Sequence, residues 1–291
     1  FGNNYGFVHR LGDDLLADNE YTTSIWANHY AAIKNYNFAI EQSLQVTDSL
    51  LVPSAEILRG MAYFCRASSY LSLARAYSAD YEPETATDAL SVPLILKYDQ
   101  YATPVQSKLQ DVYDQIITDL DEAEAILKKA AEAGVRIYAS NLAGQPMAMV
   151  PTVDAVKALK ARYYLDIHEY ADAADYALEV IKSDAGYTLS TTADEMNTEF
   201  MLDAGKESII RLFASKAEGA VGCTIYTGVS STAEEGKFFQ PLFIPSKQII
   251  DAYDNSDLRK MTWFPVDMYP VKVDGTLYQG IHMFTKYIGN S

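Results

Sequence analysis

The amino-acid sequence predicts a mostly α chain, with helical repeats in residues 1–183 and an irregular, loop-rich subdomain containing short strands in 184–291. Three observations carry this. Apolar residues recur at three-to-four spacing from residue 24 on, through 54–77 and 107–129, the period of helices with a buried face. Residues 152–182 read as two helices joined by the very short turn His168-Glu169-Tyr170, which forces an antiparallel hairpin. After Ser183 the helical period gives way to short apolar runs between Gly, Pro, Ser and Asp. The two regions are expected to form one integrated globular unit.

Composition bounds the function. The 291 residues carry a formal net charge of −16, with 49% apolar and 21% charged types; that is too apolar for a disordered acidic tail. The negative field argues against nucleic acid or an anionic membrane surface as a partner, and the longest basic run is Lys128-Lys129. No apolar stretch spans a membrane, since the run from Ile57 is broken by Arg59, Arg66 and Arg75. Cys65 and Cys223 form no metal motif and leave pairing open. There are 22 tyrosines; they serve either inter-helix packing or a surface for amphipathic ligands such as sugars.

Each element has its own signal. A polar, irregular segment containing Asp13-Asp14 precedes a helix read from about Ser24, with Trp26, Tyr30, Ile33 and Tyr36-Asn37 on one face. The next helix, with Ser54 as its expected cap, is apolar on almost every side from Ile57 to Tyr77, as a central buried helix is. Residues 78–107 form a connector with Pro83, Pro93 and Pro104 around an extended SVPLIL stretch. Ser107 is the expected cap of the clearest helix, whose stripe runs Leu109, Val112, Ile116, Leu120, Ala123 and Leu127. Residues 130–150 read as a loop. The hairpin 152–182 pairs Tyr163-Tyr164 with Ala173-Ala174 and Ala177, a tetratricopeptide-like pattern in which bulky side chains on one helix fill gaps left by alanine on the other. Beyond it, ESIIRLF (207–213) reads as a strand, 227–237 as a loop, and KQIIDAYDNSD as a short helix capped by Ser246. Residues 262–287 alternate as strands do, with a hairpin turn at Asp274-Gly275.

Catalytic and metal signatures are missing from the sequence. His9, His29, His168 and His282 have no ligand spacing, and no nucleophile elbow or phosphate loop occurs. Asp251, Asp254 and Asp257 lack the Gly and terminal Glu of a calcium loop, so capping and chain reversal are expected there. A glycosidase would need two facing acids. Asp13, Asp14, Glu234, Glu235 and Asp251 are available, but in so acidic a chain adjacent acids arise freely. No cofactor and no metal is expected.

The order of segments resembles the SusD/RagB family of outer-membrane nutrient-binding lipoproteins. The resemblance rests on six segments. Trp26, Tyr30, Ile33 and Asn37 match an early W-x-Y-x-x-I-x-x-x-N helix, and Ala55, Glu56, Leu58, Arg59 and Phe64 an A-E-x-x-F/L-R-A motif, with Gly60 where alanine is usual. Val92, Pro93 and Leu94 match V-P-L; Val112, Tyr113, Asp119, Leu120 and Ala123 match the following helix. Ala158, Leu159, Arg162, Tyr164 and Leu165 match the repeat unit, and Tyr253, Asp257 and Arg259 a later element. The resemblance implies a lipidated N-terminal cysteine and a longer C-terminal part, so the chain is expected to lack pieces at both ends or to be a short member.

The resemblance further implies a non-catalytic protein on the extracellular face of the outer membrane. It would bind an oligosaccharide or other nutrient and pass it to a TonB-dependent, SusC-like transporter. A peptide-binding member, a helical-repeat scaffold for a protein partner, and a glycoside hydrolase are the alternatives. The family's ligand residues do not transfer by motif. The candidates are therefore read from residue type: Trp26 with Asn28 and His29 near a helix start, then Trp263 and Tyr278, then Asp13, Asp14 and Tyr81.

Overall fold

A computed structural model describes residues 19–99, 101, 103–135, 150–200, 202, 204–211, 229–241, 243–266 and 268–286. These divide into two compact units, described in turn: a helical unit of residues 19–186 with 209–211, and a strand-bearing unit of 187–208 with the described residues from 229 on.

The helical unit contains α1 (Glu20–Ser43), α2 (Val52–Tyr77), α3 (Leu109–Glu132), α4 (Val153–Asp166) and α5 (Tyr170–Ile181), each packed on the next in chain order. α1 starts earlier than its apolar stripe indicates, because the Asn19 side chain accepts a hydrogen bond from the Tyr21 amide at 3.0 Å. α2 starts at Val52, where Pro53 suits a first turn, so Ser54 lies inside the helix and does not cap it. Ser107 is also diverted. Its hydroxyl accepts from the Leu94 amide at 3.1 Å, and Lys108 takes the N-cap position of α3.

α2 is the central member, burying Ile57, Phe64, Tyr70, Leu73 and others on several faces, while α3 presents the expected stripe from Leu109 to Leu127. Gly60 lies at a close approach of the two: a β-carbon there would come within 3.0 Å of Ile126 Cγ2. In the hairpin, α4 ends with His168 at φ 67°. The Glu169 amide donates to the Tyr164 carbonyl at 2.9 Å and the His168 amide to that of Leu165 at 3.3 Å, so the turn closes with a histidine where glycine is usual. Tyr164 stacks on Tyr176 of α5, with centroids 5.4 Å apart and planes at 8°.

Buried polar groups tie three helices and the connector together. Arg66 (α2) donates two hydrogen bonds to Asp119 (α3), Nε to Oδ2 at 2.8 Å and Nη2 to Oδ1 at 2.7 Å. Its Nη1 donates to Asn37 Oδ1 (α1) at 2.8 Å. Asn37 Nδ2 then donates to the Ile95 carbonyl at 2.7 Å, and the Tyr70 hydroxyl both donates to that carbonyl and accepts from the Ile95 amide. Tyr30 adds a bond to the Pro93 carbonyl at 2.8 Å. Residues 92–97 are thus a strap fastened across α1 and α2. The SVPLIL stretch forms no strand; a single bridge joins Leu90 to Lys108.

The strand-bearing unit holds α6 (Ala193–Phe200), β1 (Val229–Thr232), β2 (Gly236–Phe239), α7 (Lys247–Ala252), α8 (Leu258–Trp263), β3 (Val271–Val273) and β4 (Thr276–Tyr278). The sheet order is β1-β2-β3-β4, with antiparallel outer pairs and one parallel pairing, Phe239 with Val271. Asp274 (φ 47°) and Gly275 (φ 83°) form the expected turn, and the Ser246 hydroxyl caps α7. Two expectations fail. Residues 207–211 form no strand: Glu199 accepts from the Glu207 amide and the Ser208 hydroxyl, and Ile209 packs on the helical core. The segment read as a loop instead contains the β1-β2 hairpin, whose Phe238 and Phe239 are buried. The stretch 212–228 lies outside the described residues.

Two predictions follow from the helical unit. Asp119→Ala strands a buried guanidinium and is expected to cost about 3–5 kcal/mol in urea unfolding; a loss below about 1 kcal/mol would contradict the role given to the pair. Burial pushes the Tyr70 and Tyr113 hydroxyls from 10.0 up to about 12. The folded state therefore favours their protonated form, so the stability they contribute is complete below pH 10 and is lost as pH rises from 10 to 12. The urea midpoint should fall across that window as tyrosinate absorbance rises; a flat midpoint would contradict it.

Candidate functional site

The outer face of α1 carries an aromatic surface that motif reading does not select. Ile33, Asn37 and Ile40 face the interior, so Lys34, Phe38 and Glu41, at i, i+4 and i+7, share a face turned outward. The strap ends beside them. The Tyr98 amide donates to Glu41 Oε1 at 2.8 Å, and its ring meets Phe38 at 5.3 Å with planes at 64°. Lys34 Nζ lies 5.8 Å from the centre of the Tyr98 ring. Phe38 and Tyr98 remain 48% and 41% exposed, a large apolar surface beside a cation and a carboxylate.

Such a surface has a definite chemistry. Aromatic rings offer apolar area and an electron-rich face to polarised C–H bonds, while an ammonium and a carboxylate meet hydroxyl groups. The platform is positioned from beneath: the bonds of Asn37, Tyr70 and Tyr30 to the strap set where Tyr98 emerges.

The residues chosen from sequence are dispersed. Trp26 is half-buried, its ring 4.9 Å from Tyr30 and 5.1 Å from Tyr77, and it packs on the core. Asn28 is exposed, about 200° around the helix from Trp26, so these two point apart; His29 is half-buried. Tyr81 donates to Gln110 Oε1 at 2.7 Å and stacks obliquely on Tyr113. Those four belong to the helical unit. In the other unit, Trp263 meets Phe200 edge-on at 5.4 Å and has Lys286 Nζ 4.2 Å from its ring centre. Its indole Nε1 is buried without a hydrogen-bond partner. Tyr278 is 48% exposed on β4. Asp13 and Asp14 lie outside the described residues.

Several of the acids singled out in the sequence have structural partners. Glu235 pairs with Lys272 at 2.5 Å, Asp251 with Lys247 at 2.5 Å, and Asp257 caps α8. Hydrogen bonds from Ser256 and Arg259 hold Asp254 and Asp257, respectively, below the usual carboxylate range. Among the described residues no group of three or more His, Cys, Asp or Glu is placed to hold a metal ion. Phe38 and Tyr98 were missed because they belong to no motif. The usable signal was Phe38 itself, an aromatic on the outward side of a helix whose buried residues are Ile33, Asn37 and Ile40.

Comparison with known proteins adds three findings. Residues 2–165 match the model of a SusD-like family described as starch-binding and associating with the outer membrane. No curated protein matches the chain. Solved structures similar to it include a SusD superfamily protein from Bacteroides thetaiotaomicron (19% identity, TM-score 0.68, covering 91% of this chain and 55% of that one). A candidate sugar-binding protein from Bacteroides vulgatus is also similar (20% identity, TM-score 0.69, 98% and 58%), as is a laminarin-binding SusD-like protein (20% identity, TM-score 0.60, 91% and 58%). The likeness establishes the fold, and the chain spans little more than half the length of each of these proteins.

Proposed function

Because this chain belongs to the SusD-like family, we propose that it is a non-catalytic glycan-binding protein with the Phe38–Tyr98 surface as a contact site. The observation that carries the class is the match of residues 2–165 to a family described as starch-binding and associating with the outer membrane. The laminarin-binding relative supports a glycan over a peptide. By this reading the glycan is captured on the extracellular face of a lipid-anchored molecule and passed to a TonB-dependent transporter. The −16 charge is neutral in this respect, since an uncharged glycan does not feel it to first order.

Binding would proceed by stacking. With the two rings 64° apart, a pyranose lays its C–H face against one of Phe38 and Tyr98 and touches the other at its edge, while Lys34 and Glu41 meet its hydroxyls. Water competes for every hydroxyl, so several weak contacts share the affinity. Trp26 and His29, nearer the start of α1, are the next contacts to test. None of these steps makes or breaks a covalent bond.

Isothermal titration with maltoheptaose and laminarin tests the reading. Phe38→Ala and Tyr98→Ala are each expected to weaken binding about tenfold, or about 1.4 kcal/mol, with little loss of thermal stability because both rings are exposed. Trp26→Ala, which removes a core contact, is expected to lower stability. Absence of heat from any polysaccharide in a broad panel would overturn the proposal, as would release of new reducing ends during incubation.

A further inference from the structure

The helical unit also has a groove, apart from the platform and of different chemistry. Ser68, Leu71, Ser72 and Arg75 fall at i, i+3, i+4 and i+7 and form one face of α2. Leu159 and Arg162 of α4 face them across a groove of about 280 Å³. The groove exists because α2 and α4 both pack on α3, and stacked helical repeats leave such a cleft between alternate helices.

Both guanidinium groups are underused. Arg162 is exposed and makes no hydrogen bond or ion pair among the described residues. Arg75 pairs with Asp166, Nε to Oδ2 at 3.5 Å, and that oxygen is buried yet accepts no hydrogen bond. Burial also pushes the Asp166 carboxyl up, against the pull of Arg75 and Arg162. Two permanent cations therefore share one poorly placed carboxylate, in a chain whose net charge is −16.

We propose that this groove binds the carboxylate of an acidic sugar, a uronate unit of a glycan. The planar fork of arginine matches a carboxylate with two parallel hydrogen bonds, and Arg75 and Arg162 present two such forks on facing walls. Leu159, partly buried, supplies apolar surface for the ring's C–H face, and Leu71 closes the buried floor. Ser72 Oγ donates to the Ser68 carbonyl at 2.8 Å and keeps its lone pairs for a sugar hydroxyl. The volume is just under the roughly 300 Å³ at which drug-sized pockets begin, a size suited to one sugar ring. The proposal rests on the glycan-binding reading but uses none of the platform's residues.

The test is titration with digalacturonate, using Arg162→Gln, Arg162→Lys and Phe38→Ala variants. Arg162 is exposed and unpaired, so its variants fold. Digalacturonate is expected to bind the wild-type chain, about tenfold more weakly after Arg162→Gln, with Arg162→Lys between them and Phe38→Ala unchanged. Added salt should weaken it, and a neutral galactose disaccharide should not displace it. Displacement of bound digalacturonate by the neutral disaccharide, wild-type affinity in Arg162→Gln, or displacement by a lower concentration of an acidic tripeptide would overturn the proposal. If maltoheptaose and laminarin bind while digalacturonate does not, this inference fails alone. If only digalacturonate binds, through Arg162, the platform assignment fails instead.

Discussion

The buried Arg66–Asp119 pair is the interaction on which the helical unit depends. Its side chains are 5% and 1% exposed, so neither charge has water to solvate it. Burial works against both charges; Asp119 outweighs this at Arg66 and raises it, whereas at Asp119 burial prevails over the pull of Arg66 and Gln115. Such a pair adds little net stability compared with apolar packing, but breaking it is costly. Its contribution here is geometric: Arg66 also holds Asn37, and Asn37 holds the strap. Three helices and a non-repetitive segment are thereby locked in one register. An exposed aromatic pair at the end of that segment inherits the precision of the core.

Tyrosine serves the same end elsewhere. Tyr81, Tyr113, Tyr163, Tyr164 and Tyr176 form a continuous series of ring contacts, from the connector through α3 and α4 to α5, with centroid spacings of 4.8, 5.9, 5.2 and 5.4 Å. Lys160 is buried beside it, paired with Asp121 and Glu124 of α3 and 5.2 Å from the centre of the Tyr176 ring. Part of the tyrosine excess is therefore structural, filling the space between helices that alanine leaves open. Tyr98, like Tyr101, Tyr170 and Tyr278, is exposed instead, and it follows directly on the strap.

What the sequence revealed followed the range of the forces involved. The α3 stripe, the α4–α5 hairpin and the Asp274–Gly275 turn are decided by residues close in the chain, and they stand where periodicity and turn chemistry placed them. The starts of α2 and α3 were misread for different reasons: Pro53 sets the first turn of α2 and leaves Ser54 inside the helix, and a tertiary contact redirects the cap chemistry of Ser107 to Leu94. The strand expected at 207–213 is absent in its described part because Glu199, a buried acid outside that segment, takes its polar groups. Arg59 drew attention as part of a motif, whereas Arg66, seven residues on, holds the core. Only the positions of Asn37 and Asp119 in space distinguish the two. The aromatic platform was hidden for the same reason: Phe38 and Tyr98 are far apart in sequence and meet only through the strap.

The central claim is that buried hydrogen bonds to the strap set the ligand-facing surface. Asn37 is fully buried and cannot touch a ligand on the outside of α1, so Asn37→Ala separates positioning from contact. The decisive measurement is laminarin and maltoheptaose affinity of a folded Asn37→Ala variant, read by titration alongside the Tyr98 amide's hydrogen-exchange rate. The account predicts weakened glycan binding together with faster exchange at Tyr98, while the helical content is unchanged. Wild-type affinity with a loosened strap would contradict it.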